Sequence, residues 1–185
     1  ARPSVGYDNR LAMRRMAEEV LRQGHRRLAL ISAEIATNDR AAARLLGVQD
    51  ALPDAGLTNA DLAFIETHYG IEAGANAFAD LMRRPDRPTA VLCGNDVLAV
   101  GAVGQARDMG LNVPDDVSIV GFDDIELAQV AFPKLTTVHV PHREMGREAA
   151  RALVTALQDG TPIKGLELAT ELSMRESLGL VPEGR

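Results

Sequence analysis

Side chains that can recognise a small polar molecule occur just after apolar runs of this 185-residue chain. The candidates are Arg40 and Arg44 after the run 28–31, Tyr69 after 62–65, Asn95 after 89–93, and Asp123 and Asp124 after 117–120. Carboxylates and amides hydrogen-bond hydroxyl groups, guanidinium groups bind carboxylates or phosphates bidentately, and a tyrosine ring can cover the face of a sugar ring. These residue types predict binding of a polyol-like ligand.

The two aspartates and the asparagine also have a structural explanation. Asp is a favoured N-cap residue, so Asp123 and Asp124 could cap the segment that follows instead of meeting a ligand. This alternative fits Asp124 better, because Asp123 lies nearer to the end of the apolar run. Asn95 is also a good N-cap, and here capping and ligand contact can hold together.

Arg40 and Arg44 lie one turn apart at the start of a predicted helix, so both can face the same side. Positive charge at a helix N-terminus is unfavourable, and an anionic or hydroxyl-rich ligand would offset that cost. The alternative is a solvated face on which Arg40 pairs with Asp39 or Glu34. Tyr69 could likewise be an ordinary exposed loop residue.

The elements that must position these side chains alternate regularly. Four repeats of strand then helix, spaced by about 30 residues, predict right-handed βαβ crossovers and an α/β fold with a parallel sheet covered by helices on both faces. Parallel neighbours end at one edge of a sheet, where ligands collect in open α/β folds. The candidate side chains therefore converge only if their strands are parallel and adjacent.

Composition limits the classes of function. The chain has 26 acidic and 20 basic residues and a net charge of −6, so it lacks the basic footprint of a nucleic-acid-binding domain. Its single cysteine, Cys93, rules out an intramolecular disulfide and is expected to be a small buried residue. No signal peptide or membrane-spanning run is apparent, and Ala1 is an unusual natural start, which suggests an excised piece.

Several motifs agree in order and spacing with one protein family. They are Asp8-Asn9 with Gly24-His25, Arg44-Leu45-Leu46-Gly47, the segment CGNDVLAVGAV from Cys93, GFDD followed by PKLTTV, and Arg175-Glu176-Ser177. Together they span nearly the whole chain and resemble the effector-binding region of the lactose/galactose repressor family (LacI/GalR). The resemblance implies a periplasmic-binding-protein-like fold and the C-terminal of two subdomains.

The residues and the resemblance together predict a site. Effector contacts are expected from Arg40, Arg44, Tyr69, Asn95 and Asp123, and supporting or capping roles from Asp96, Asp124 and His142. His25 has no second histidine or cysteine nearby and is expected to be a hydrogen bonder at a helix end. Neither a cofactor nor a metal is expected.

In the family, two similar subdomains clasp the effector and are joined by three chain crossings. We expect the crossings before Asp8, near 125–135 and near 159–165. Residues 8–134 and 159–185 would form the C-terminal subdomain, and 135–158 would belong to an N-terminal subdomain that is otherwise absent, as is the helix-turn-helix domain. Strand 136–140 and helix 142–158 are then expected to have lost their neighbours. Self-association through the apolar stripe of the helix, or its irregular packing, and weak effector affinity should follow.

The sequence thus predicts the sensing and dimerisation core of a cytoplasmic transcriptional regulator, which reaches operator DNA only through a domain outside this chain. A sugar acid or sugar phosphate is the preferred effector, because Arg40 and Arg44 form a double cation. The main alternative is a periplasmic sugar-binding protein. An enzyme is a further alternative, but Asp123 and Asp124 have no histidine or nucleophile tied to them by spacing, and no nucleotide-binding or hydrolase motif is present.

Overall fold

The computed structural model describes residues 3–160 and 162–182. Its strands are β1 Val5–Gly6, β2 Leu28–Ser32, β3 Leu62–Glu66, β4 Ala90–Cys93, β5 Ser118–Asp123, β6 Thr136–His139, β7 Leu166–Glu167 and β8 Glu171–Ser173. Its helices are α1 Asn9–Arg22, α2 Asp39–Ala51, α3 Ile71–Met82, α4 Asp96–Asp108, α5 Glu126–Val130 and α6 His142–Asp159. None of these helices is long and apolar enough to cross a lipid bilayer.

Six strands form the main sheet, in the order β3-β2-β4-β5-β6-β8. All neighbours are parallel except β8, which runs antiparallel to β6 at the edge. The parallel sheet predicted from the strand–helix repeats is therefore confirmed. The strand β2 is buried along its whole length, as expected for a run of apolar residues covered on both faces.

Alternate residues of each central strand enter two separate cores. Ile31, Val91 and Ile119 pack against α3 and α4 on one face. Leu30, Leu92 and Val120 pack against α1 and α2 on the other. This period of two follows from the pleat of a strand and fixes which way each strand end faces.

A smaller unit consists of β1, β7 and α6. The strands β1 and β7 form a separate two-stranded parallel sheet, and α6 contacts β1. The chain passes between this unit and the main sheet at three places, namely residues 7–8, 140–141 and 168–170. The first crossing lies where the sequence predicted it, while the second and third lie a few residues later than expected.

The prediction that strand 136–140 has lost its neighbours is wrong. The strand β6 pairs with β5 and with β8, and Thr136, Thr137 and Val138 are buried. The error has a simple physical cause, because the chain leaves the main sheet after β6 and not before it. The segment 166–173 is divided between the two units, with β7 in the small unit and β8 in the main sheet.

The expectation for the following helix agrees with the structure. No residue of α6 is buried, and Leu157 is 77% exposed. A groove of about 630 Å³ beside the helix is lined by Glu148, Arg151, Ala152 and Thr155 of α6, so only Ala152 of the stripe faces it. The stripe therefore has little apolar cover within the described residues.

Candidate functional site

The site lies at the carboxyl edge of the four parallel strands β3, β2, β4 and β5. Tyr69 follows β3, Arg44 lies on the helix after β2, Asn95 follows β4, and Asp123 ends β5. Because these strands are adjacent and parallel, the sheet brings the four side chains to one edge, as the sequence predicted. The strand β5 extends through Phe122 to Asp123, so it is longer than the predicted run 117–120.

Arg44 is the buried centre of this edge. Its Nε donates to Asn9 Oδ1 at 2.9 Å, its Nη1 to the Gly94 carbonyl at 2.5 Å, and its Nη2 to the Tyr7 hydroxyl at 3.0 Å. The guanidinium carbon lies 3.9 Å from the centre of the Phe122 ring. A guanidinium has five N–H donors, so two remain for a ligand or for Asp123, whose Oδ1 is 3.8 Å from Nη2.

Sequence reasoning missed three of the groups that fix Arg44. They are Asn9 of the motif Asp8-Asn9, Tyr7, and Phe122 of the motif GFDD. Tyr7 also packs against Phe122, with ring centres 6.1 Å apart. The available signal was that Tyr7 and Asn9 flank the first predicted crossing, where the chain must approach the cleft.

Asp123 faces the cleft from an unusual backbone conformation. Its φ is 106°, a region that residues with a Cβ seldom adopt. Burial raises the pKa of its carboxyl, and the positive charges of Arg44, His142 and Arg40 oppose this effect. Of these three residues, His142 begins α6 in the small unit.

Arg40 and Tyr69 complete the exposed part of the cleft. Within residues 3–160 and 162–182, the Arg40 guanidinium has no hydrogen-bond or ion-pair partner, so the predicted alternative of pairing with Asp39 or Glu34 does not occur. Tyr69 is 40% exposed. Burial of its hydroxyl raises the pKa of Tyr69. The charges of Arg44 and Arg40 lower this pKa, and the charge of Asp123 raises it.

Asn95 and Asp96 begin α4 and have different roles. Asn95 Oδ1 accepts from the Leu98 N–H at 2.9 Å, which confirms the predicted N-cap. Asp96 is fully buried, and it accepts from the Thr137 hydroxyl at 2.6 Å and from the Ile125 N–H at 2.9 Å. It is therefore not a helix cap, and it holds the loop after β5 against β6.

Asp124 does not cap α5, and its carboxylate is already hydrogen-bonded within the chain. The N-cap of α5 is Ile125, without a side-chain bond, which makes the capping interpretation of Asp124 wrong. Its carboxylate instead accepts from Arg175 at 2.6 Å, His139 at 2.9 Å and Ser173 at 3.0 Å. Burial alone would raise the pKa of Asp124, but these hydrogen bonds outweigh burial and lower it.

The motif Arg175-Glu176-Ser177 also has a structural role. Arg175 donates to the Leu135 carbonyl at 2.8 Å, and the Ser177 hydroxyl donates to the Ile119 carbonyl at 2.5 Å. The Thr136 N–H in turn donates to Ser177 Oγ at 2.9 Å. The motif therefore joins the start of β6 to β5 and holds the chain that leads to the second crossing.

Two further predicted residues have structural roles only. His25 is buried and bridges Thr89 Oγ1 at 3.0 Å and the Gly179 carbonyl at 3.1 Å. Cys93 is buried, and burial raises the pKa of its thiol. Within the described ranges, no three His, Cys, Asp or Glu side chains are grouped so as to hold a metal ion.

One buried polar atom at this edge has no partner. Ser32 ends β2, and its Oγ has no hydrogen bond among the described residues. A buried hydroxyl without a partner costs about 1–3 kcal/mol. Ser32 is thus an unpaired polar group at the carboxyl end of β2 that the sequence did not single out, since a serine at a strand end is not distinctive.

Comparison with known proteins assigns the class. Residues 17–178 match the family described as periplasmic binding protein-like domain, and the chain belongs to that family. It is 36% identical over 181 residues to the HTH-type transcriptional repressor CytR of Escherichia coli strain K12, covering 97% of this chain and 53% of the repressor. The chain thus spans about half the length of this curated relative.

Two solved structures of LacI-family transcriptional regulators have the same fold. The regulator from Enterococcus faecium with bound ribose has a TM-score of 0.90 and 26% identity, covering 96% of this chain and 65% of that one. The regulator from a Rhodococcus species also has a TM-score of 0.90, with 28% identity and coverage of 98% and 66%. The family resemblance and the fold predicted from the sequence are confirmed, and the relatives are transcriptional regulators, which favours a sensing core over a transport protein.

Proposed function

We propose that this chain is the effector-sensing core of a LacI-type transcriptional regulator of the cytoplasm. The observation that carries the proposal is the convergence of Arg44, Tyr69 and Asp123 at one edge of the parallel sheet, with an orphaned hydroxyl at Ser32. Operator DNA would be contacted by a domain outside this chain, in a homodimer. Its likeness to the repressor CytR and to the ribose-bound regulator from Enterococcus faecium supports this assignment.

The proposed effector is a small polyol with an acidic group, such as a sugar acid or a sugar phosphate. Asp123 accepts hydrogen bonds from ligand hydroxyls, and Tyr69 covers the face of a ring. Arg44 is already bound to three groups of the chain, so the unpaired cation available to an anionic group is Arg40. We therefore propose Arg40 as the main partner of the anionic group, with the two remaining Arg44 donors beside it.

The residues of the proposed site come from two parts of the chain. The main sheet supplies Arg44, Asn95 and Asp123, and the small unit supplies His142, which interacts electrostatically with Asp123. Residues 8–134 with 159–185 and the segment 135–158 were predicted as two subdomains; we now propose that the second begins after β6. Ligand binding would then bias the position of the small unit, the general route by which an effector alters a distant interface.

A thermal-shift titration tests the proposal, with D-ribose, D-gluconate, glucose 6-phosphate and adenine as probes. A true ligand at about 100 times its Kd stabilises the folded state by about 2.7 kcal/mol, so at least one probe should raise the melting temperature. Asp123→Asn should abolish that shift, and asparagine tolerates the positive φ that alanine would strain. Arg40→Gln should reduce the shift by the two anionic probes and leave that by D-ribose unchanged.

Asp80→Asn is the matched control, because Asp80 forms an exposed ion pair with Arg83 on α3, away from the cleft. It should keep the full shift. A shift that persists in Asp123→Asn would show that the ligand binds elsewhere. The absence of any shift for all four probes would count against the proposed effector class.

A further inference from the structure

Three elements of the candidate site meet at one buried carboxylate. Asp96 accepts from the Thr137 hydroxyl of β6 and from the Ile125 N–H of the loop after β5. On another side lies Gly121 of β5, where a Cβ would overlap Oδ1 of Asp96. A glycine at this position leaves room for the carboxylate. Asp96 thereby joins α4, β5, β6 and the β5–α5 loop.

The loop needs such a support, because two successive residues other than glycine have positive φ. The values are 106° at Asp123 and 56° at Asp124. In this region the Cβ of an L-residue crowds the backbone, so the conformation persists only where its surroundings impose it. The carboxylate of Asp124 is held by the three donors described above. On the other side of the turn, the Ile125 N–H is held by Asp96.

We propose that Asp96 is a positioning residue for the effector site, which fixes the left-handed turn and so directs the Asp123 carboxylate into the cleft. The consequence for ligand binding rests on the proposed function, whereas the geometric part does not. Asp96 also ties this turn to Thr137 of β6, the strand that leads to the second crossing. It therefore connects the ligand-facing carboxylate to the chain that enters the small unit.

The charge state of Asp96 provides a readout that a merely structural residue would lack. Burial raises the pKa of Asp96 to about 6, while the bonds from Thr137 and Ile125 oppose the rise. The titratable groups that face it are Asp123 and Asp124 from the loop and the Cys93 thiol from β4. Since a carboxylic acid accepts the Ile125 N–H less strongly than a carboxylate does, this amide proton should report the titration.

Backbone NMR of the 185-residue chain tests the proposal with three variants. In Asp96→Asn, the amide oxygen can accept from Ile125 and the amide nitrogen can donate to Thr137, so the Cα and Cβ shifts of Asp123 and Asp124 should remain as in the unmodified chain. The pH titration of the Ile125 amide should disappear. Asp96→Ala removes both acceptors, so the shifts of Asp123 and Asp124 should move towards those of residues with negative φ.

Asp61→Ala is the matched control for Asp96→Ala. Asp61 also accepts from one backbone N–H and one hydroxyl, both of Thr58, but it lies in a 3-10 turn before β3. Its replacement should leave the loop shifts unchanged. If Asp96→Ala does not fold, Thr137→Val removes one of the two bonds with nearly unchanged volume and should move the shifts of Asp123 part of the way.

Calorimetry with D-ribose measures how the variants affect ligand affinity. We expect Asp96→Ala to weaken the affinity by about tenfold or more. Asp96→Asn should retain the affinity within about threefold, so the two variants should differ by more than about 0.5 in log Kd. Loop shifts in Asp96→Ala or Thr137→Val identical to those of the unmodified chain would overturn the proposal. Should D-ribose not bind the unmodified chain, D-gluconate or glucose 6-phosphate replaces it in this measurement, and the shifts decide the role of Asp96 in either case.

Discussion

Arg44 shows how much of a binding site can be internal structure. Its guanidinium is surrounded by Asn9, Tyr7, the Gly94 carbonyl and the Phe122 ring, so most of its donors are used before any ligand arrives. The motif Arg-Leu-Leu-Gly indicated a ligand-binding arginine, but it contained no information on these partners. Their identity depends on tertiary contacts with residues as distant in the chain as Gly94 and Phe122, which local patterns do not encode.

Replacement of this arginine should therefore reduce stability even without ligand. Arg44→Lys keeps the charge but cannot reproduce a planar fork with three bonds, and hydrogen bonds to charged groups contribute about 1.5–3 kcal/mol each. We expect a loss of about 2–4 kcal/mol in the free energy of unfolding, measured by urea denaturation. Arg10→Lys, which alters an exposed ion pair with Asp50, should cost less than about 1 kcal/mol. Equal losses in the two variants would contradict the central position assigned to Arg44.

At the scale of elements, the alternation of strands and helices predicted the parallel sheet and the edge that carries the site, whereas the strand order β3-β2-β4-β5-β6-β8 comes from the structure alone. The periodicity is strong because each central strand is buried on both faces. The position of β6 was not predictable in this way, because its sequence TTVH fits a strand of either unit. Only the pairing of β6 with β5 and β8 decides between them.

The helix α6 has an exposed apolar stripe that should make the chain self-associate. Its apolar stripe includes Leu153 and Leu157, both exposed, and exposed apolar surface of this kind favours association. We expect concentration-dependent self-association of the chain in sedimentation velocity, and Leu153→Glu with Leu157→Glu should shift it towards monomer. Phe132→Glu is the comparison, since Phe132 is 91% exposed next to α5 and not on α6. A chain that stays associated with the double change but dissociates with Phe132→Glu would move the contact to α5.

For the whole molecule, the two buried aspartates make stability depend on pH in opposite directions. The pKa of Asp96 is raised to about 6, so the folded state holds this proton more tightly than the unfolded state does. Its contribution is fully present below the unfolded pKa and is lost as the pH rises through about 6. The pKa of Asp124 is lowered, so its contribution is present above the unfolded pKa and is lost in more acidic solution.

These shifts predict the behaviour of one variant. Relative to the unmodified chain, Asp96→Asn should gain up to about 3 kcal/mol of unfolding free energy between about pH 4 and pH 7, because asparagine carries no charge to bury. Chemical denaturation at several pH values measures this difference. A difference that stays constant over the whole range would mean that Asp96 does not titrate there.

The hydroxyl that accepts from Arg44 belongs to Tyr7, and Tyr7 is part of the first crossing between the main sheet and the small unit. A rotation of the small unit about its crossings would change the backbone dihedral angles next to Tyr7 and would thereby disturb this hydrogen bond. The proposed cleft and the first crossing thus share one donor, so a guest molecule that competes for this donor would act on the axis of such a motion without a relay through the interior.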